Sequence, residues 1–243
     1  MLMPVSYIVR TTISNEIVRD AFSEGEKKLV VLISRSSYSA EDMAAAVTRV
    51  YREDPALVPK EPLASVNMYS GTGAQRLYEI SINYGMTSDE LDARTAQLQA
   101  VDAFAELDTS GMSEAELAYA ACEYLMEHCT VSEDKSENTA YAALVGGRAN
   151  SEGTALAYIV LCRELGVDCR IVYGQEDWIE HCWNIVRIDG SYYHVDITAA
   201  IEDGAEAGFL MNDEMAWGHY RWDVSSYPKC SGELRYSDLL FDE

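Results

Sequence analysis

The sequence predicts an α+β protein, and three observations point there. Residues 29 to 84 read as a short β-α-β-β unit, two capped helical segments follow between 87 and 129, and a third helix after Asn150 leads into three strand-like runs ending at Thr198.

Taken in order, Leu29 to Ser34 is an apolar run of strand length, and Met43, Ala46, Val47 and Val50 recur at helical spacing over Ala40 to Tyr51. Pro55, Pro59 and Pro62 then interrupt the chain. Ala64 to Tyr69 and Arg76 to Tyr84 read as two more strands around the turn Ser70-Gly71-Thr72-Gly73, which closes a small unit over residues 1–85. The remainder, 86–243, forms a second domain. Thr87-Ser88-Asp89-Glu90 opens a helix expected to reach about Leu107, and Ser113-Glu114-Ala115-Glu116 has the form of a capping box that opens another through about Cys129. Asn150 or Ser151 caps a third helix, which Gly166 stops. Cys169 to Tyr173, Glu180 to Ile188 and Ser191 to Thr198 read as strands, the last two joined by the hairpin signal Asp189-Gly190. Glu202 to Glu206 reads as loop, and Phe209 to Tyr236 as irregular structure wrapping the core.

A chain of 243 residues with 48% hydrophobic and 10% aromatic residues is globular in composition. Its 18 basic and 41 acidic residues give a net charge of −23, whose field opposes nucleic-acid phosphates and anionic membrane surfaces. No stretch approaches the roughly 18 apolar residues that cross a bilayer. Met1 to Arg10 lacks the basic, apolar and small-residue order of a secretion leader, so the default compartment is cytoplasmic, or extracytoplasmic if a leader was removed. Six cysteines without a Cys-x-x-Cys pair argue against a structural zinc site and read as buried apolar fillers, with one or two disulfides open only in an oxidising compartment. Neither a metal nor another cofactor is called for.

The chemistry concentrates between residues 147 and 198. If Asp189-Gly190 forms a two-residue turn, Ile188 pairs with Ser191, Ile185 faces His194, Trp183 faces Asp196 and His181 faces Thr198. His181 and Asp196 are then diagonal neighbours on one sheet face, Cα atoms roughly 7 to 8 Å apart, close enough for one imidazole to carboxylate hydrogen bond. That carboxylate can fix the tautomer of a base. The helix start at Ser151 offers unpaired N–H groups and the positive dipole end, which lower a thiol's pKa and stabilise an oxyanion. A serine hydroxyl gains far less and must lose its proton to a placed base during attack. Each residue alone has an ordinary explanation, Ser151 as a cap and His181 as a sheet histidine. The combination is what points to acyl-transfer chemistry.

Ser151-Glu152-Gly153, His181-Cys182-Trp183-Asn184 and Tyr193-His194-Val195-Asp196-Ile197-Thr198 resemble the motifs of the transglutaminase-like superfamily, a branch of the papain-like thiol enzymes, and in particular its bacterial members. Thr139 to Leu144 and Asn212 to Met215 resemble flanking segments of that family. The resemblance is specific over about 110 to 236. It implies a helix packed on an antiparallel sheet, with Ser151 at the nucleophile position, His181 as base and Asp196 as orienting acid. Asn150, Glu152 and Trp183 are the candidate residues for holding a peptide or protein ligand.

Two positions depart from the family pattern, serine for the thiol at 151 and Cys182 for a small alanine. Alternation points Cys182 to the sheet face opposite His181. Cys162, 11 positions along the helix, lies about 16 Å from Ser151. Three readings of Ser151 follow: a silent site that binds a peptide-type ligand, an active hydrolase, peptidase or amine acyltransferase with a serine nucleophile, and a replacement of an original cysteine.

Overall fold

The computed structural model describes residues 15–34, 38–70 and 75–240. The opening segment Met1 to Arg10 and the turn at Gly71-Thr72-Gly73 lie outside the described residues. The chain forms two compact units, Met1–Ala96 and Gln97–Glu243.

In the first unit, α1 (Asn15–Ser23), an element not expected from the sequence, buries Ile17, Val18, Ala21 and Phe22. β1 (Lys28–Ser34), α2 (Ala40–Glu53), β2 (Leu63–Ser70) and β3 (Gln75–Asn83) follow, with the strands in the antiparallel order β1-β3-β2. Ser39 and Asp42 close a capping box at the start of α2, and the apolar stripe Met43, Ala46, Val47 and Val50 is buried. The alternation of β3 turns Tyr78, Ile80 and Ile82 inward. Next, α3 (Ser88–Gln99) stops short of the expected Leu107. Its last buried apolar residue is Leu98, and beyond it Asp102, Glu106 and Asp108 would set negative charge at a helix C-terminus. The division between the units therefore falls within α3 rather than before it.

The second unit carries α4 (Glu114–His128), opened as expected by the reciprocal Ser113 and Glu116 box. A short parallel pair, β4 (Thr130–Val131) and β5 (Arg148–Ala149), brackets α5 (Ala140–Leu144). Behind them runs α6 (Ser151–Glu164), buried along most of its length and tied to α4 by the Tyr158 hydroxyl donating to the Ala118 carbonyl at 2.9 Å. β6 (Asp168–Glu176), β7 (Ile179–Ile188) and β8 (Ser191–Val195) form an antiparallel sheet. Asp189 at φ 49° and Gly190 at φ 84° make the expected left-handed hairpin turn, with Ile185 opposite His194. α6 packs on one face of this sheet, and Val172, Trp183 and Ile185 form a core on the other. The protein is thus α+β, with a helix on an antiparallel sheet.

The structure corrects the end of the chain. β8 stops at Val195 instead of Thr198, because Asp196 turns out of the sheet to cap α7 (Ile197–Asp203), accepting from the Thr198 and Ala199 N–H groups. No strand pairing of His181 with Thr198 forms. The acidic stretch 202–206 is not loop but the end of α7 and the start of α8 (Ala205–Gly208). Within 209–236, expected to be irregular, lie α9 (Asp213–Ala216) and β9 (Tyr220–Trp222), followed by α10 (Tyr236–Leu239). β9 adds to the free edge of β6, giving the order β8-β7-β6-β9.

Candidate active site

Three elements meet at one end of the sheet. Asn150 caps α6, its Oδ1 accepting from the Glu152 and Gly153 N–H groups at 3.1 Å each, which leaves Ser151 as the first helical residue. The Ser151 N–H has no hydrogen-bond partner among the described residues. Gly153 is required here by packing: a methyl group would stand 2.7 Å from the Glu137 carbonyl oxygen and 2.8 Å from the Ala149 side chain. The last partner of β8 on β7 is Asn184, opposite Val195. Beyond it, the Cys182 N–H donates to the Ser151 Oγ at 3.3 Å, so the helix start occupies the place that the departing strand leaves.

His181 projects from the other face of β7, and its Nε2–H donates to Asp196 Oδ2 at 2.6 Å. Asp196 is fully buried and accepts three further hydrogen bonds, from the Tyr220 hydroxyl at 2.9 Å and from the Thr198 and Ala199 N–H groups. A second carboxylate, Glu176, lies 3.7 Å from the same imidazole nitrogen. With Nε2 engaged, Nδ1 is the nitrogen left for proton transfer. Among the described residues no hydrogen bond joins His181 to Ser151.

Burial alone would push the His181 imidazole down. The hydrogen bond and charge of Asp196, with Glu176 adding, outweigh it, and His181 titrates above the ordinary histidine value. Glu176 is raised mainly by burial, partly offset by His181. Burial and the two carboxylates also drive the Tyr220 hydroxyl up, keeping it a neutral donor. Protonated His181 therefore contributes stability that is complete below the unfolded value of about 6.5 and is lost as pH rises through the higher folded value. NMR titration of the ring should give a midpoint above that value, and urea stability should fall across the window more than in His181→Gln. A midpoint at or below the ordinary histidine value contradicts the assignment.

Asn150 and Glu152 are half-buried, and their polar atoms serve the scaffold. Glu152 accepts from the Tyr173 hydroxyl at 3.1 Å and from Asn138 Nδ2 at 2.9 Å. Trp183 corrects the expectation of ligand contact, because it is fully buried and offers no surface. Its indole lies beside His181 at 6.2 Å between ring centroids and beside Tyr220 at 5.1 Å, and its N–H donates to His194 Nδ1 at 3.0 Å. That bond places the His194 proton on Nε2, which donates to Asp213 at 3.0 Å. Burial lowers the His194 pKa, with Asp213 opposing.

By distance alone, Glu176, His181 and Asp196, or His194, Asp213 and Cys230, could hold a metal ion. In each group the imidazole nitrogen facing the carboxylate already donates a hydrogen bond that ligation would first break. Cys122, Cys129, Cys162 and Cys230 are buried free thiols. Sequence reasoning missed Glu176 and Tyr220, and it marked the segment that holds Asp213 without giving that residue a role. Tyr220 and Asp213 lie in the stretch that lacked periodicity, and Glu176 sits at a strand end with no motif around it.

Residues 102–197, a span that contains Ser151, His181 and Asp196, match the sequence model of the transglutaminase-like superfamily. No curated protein matches the sequence. Among solved structures it is similar to a TGase, at 12% identity and a TM-score of 0.38 over 73% of this chain and 53% of that one. It is also similar to a candidate cysteine protease from Cytophaga hutchinsonii (11% identity, TM-score 0.36, 60% of this chain and 66% of that one) and to menin, whose structure revealed the binding site for Mixed Lineage Leukemia (MLL) protein (19%, 0.34, 46% and 26%). The chain spans less than two thirds of the length of each. Among the described residues no helix is long and apolar enough to cross a membrane.

Proposed function

We propose that this transglutaminase-like protein binds a peptide-type ligand at its Ser151, His181 and Asp196 site without turning it over. The observation that carries this reading is the electrostatics of His181, held against Asp196 and near Glu176 so that the imidazolium is favoured. A thiol beside such a cation rests as a thiolate and is ready to attack. A serine hydroxyl instead needs a neutral imidazole to take its proton, and a raised histidine pKa disfavours that form. Ser151 Oγ is, moreover, bonded to the Cys182 N–H and not to His181.

Incubation with a fluorophosphonate should leave Ser151 unlabelled. Ser151→Cys should be alkylated by iodoacetamide at about pH 5.5, where an ordinary thiol of pKa about 8.5 is only about one part in a thousand ionised, and the parent chain serves as the control for the other cysteines. Amide hydrolysis or amine incorporation by the unaltered chain would overturn the silent reading. It would favour the second one, an active hydrolase, peptidase or amine acyltransferase with Ser151 as nucleophile. That alternative draws on the unpartnered Ser151 N–H, a donor suited to an oxyanion at the helix start.

A further inference from the structure

The turn between β6 and β7 is built against the preferences of its own residues. Asp177 at φ 45° and Trp178 at φ 74° both occupy the left-handed region, where an L side chain is strained and glycine is the usual occupant. The other hairpin of this sheet does place glycine in the corresponding second position, at Gly190. Trp178 is 71% exposed, so burial of the indole offsets little of that strain. Such a combination marks a residue kept for contact rather than for folding.

The surroundings of this indole specify a partner. Gln175 pairs with Arg221 on one side and with Glu180 on the other, so the three stand in a row on one sheet face. Cys182, whose N–H holds Ser151, is two residues from Glu180 on the same strand and therefore on the same face, about 7 Å along it. Arg221 stacks its guanidinium on the Trp178 ring at 3.4 Å from the centroid. Asp177 is fixed by its N–H donating to the His219 carbonyl at 2.9 Å. Glu180 is exposed and forms no ion pair among the described residues. Asp177 is also exposed, with the exposed His219 imidazole 3.7 Å away. The turn and the strand that follows it thus carry two solvent-facing carboxylates, Asp177 and Glu180, in a chain of net charge −23.

We infer that the Trp178 turn is a docking surface for an arginine side chain of the ligand, a deepening that rests on the peptide-ligand reading above. Asp177 and Glu180 together outweigh the Arg221 guanidinium already on the ring, so charge complementarity favours a cation over an anion. The indole selects a planar one, since a guanidinium stacks on the ring, as Arg221 already does, while its edge donates to Glu180 or Asp177. A lysine ammonium satisfies the charge but not the stacking. The ligand would lie along the sheet face from the Trp178 turn toward Ser151.

The test is an NMR titration of the full chain with Ac-Gly-Gly-Arg-Gly-Gly-NH2 and its lysine and citrulline counterparts, followed at the Trp178 indole N–H and repeated by calorimetry on Trp178→Gly and Glu180→Gln. The arginine peptide should bind about 5- to 10-fold more tightly than the citrulline peptide, which keeps the shape and loses the charge. That preference should vanish in Trp178→Gly and weaken in Glu180→Gln. Trp178→Gly should melt no lower than the parent, because glycine relieves the left-handed turn, so a lost preference cannot be assigned to unfolding. Equal binding of all three peptides, or an arginine preference that survives Trp178→Gly, overturns the docking assignment and leaves the peptide-ligand reading intact. Binding of none of the three also overturns it, and the reactivity of Ser151→Cys then judges the triad separately.

Discussion

Asp196→Ala is expected to destabilise the second unit by about 3 to 5 kcal/mol, the usual consequence of removing one member of a buried ion pair. The magnitude follows from the number of groups that the carboxylate satisfies at full burial: the His181 imidazole, the Tyr220 hydroxyl and two N–H groups at the start of α7. Loss of the cap alone is worth about 1 kcal/mol, and the stranded imidazolium accounts for most of the rest. Urea denaturation monitored by far-ultraviolet circular dichroism measures it. Asp196→Asn separates the two parts, since its side-chain oxygen can still cap α7 while the charge on His181 is gone. That variant should be less destabilised, and its His181 midpoint should fall below that of the parent. A loss under about 1 kcal/mol for Asp196→Ala would mean that the four interactions are not cooperating.

Gly174→Ala is expected to destabilise the second unit and loosen its edge strand. A Cβ there would run into the Arg221 carbonyl oxygen and stand 2.5 Å from Trp183 Cη2. Neither neighbour can yield easily, because one is backbone in β9 and the other is a fully buried indole. Overpacking of this kind costs about 1 to 3 kcal/mol, and the expected relief is the release of β9 from β6. β9 carries Tyr220, so the variant should lose the hydrogen bond to Asp196 along with the edge strand. Denaturant titration reads the first effect, and amide hydrogen exchange over Tyr220–Trp222 reads the second. A variant with parental stability and protected β9 amides contradicts the packing argument.

The helix starts and the hairpin were legible in the sequence because their signals are local. Ser113 with Glu116, Asn150 before Ser151, and Asp189-Gly190 each act within four residues, and each is found where the pattern puts it. The pairing of His181 with Asp196 was accessible for the same reason, since a two-residue turn fixes register along both strands. What local pattern cannot express is a residue with two duties. Asp196 was read as part of a strand, whereas its carboxylate also caps a helix, and that second duty ends β8 three residues early. Nor could periodicity find Tyr220, which is placed by a three-residue edge strand too short to alternate detectably. Trp183 is a candidate ligand-holding residue in the sequence, two positions from His181. Same-face packing carries it inward, onto His194 and the core, instead.

The early exit of β8 leaves position 151 with an architectural duty independent of any acyl transfer. Where a neighbouring strand would have supplied a carbonyl, the Cys182 amide donates to the side-chain oxygen of Ser151. An oxygen-bearing side chain at the head of α6 is thus favoured by the scaffold even in a protein with nothing to catalyse. Alanine at 151 is consequently a poor inert control, for it removes the hydroxyl and the hydrogen bond from the Cys182 N–H in one stroke.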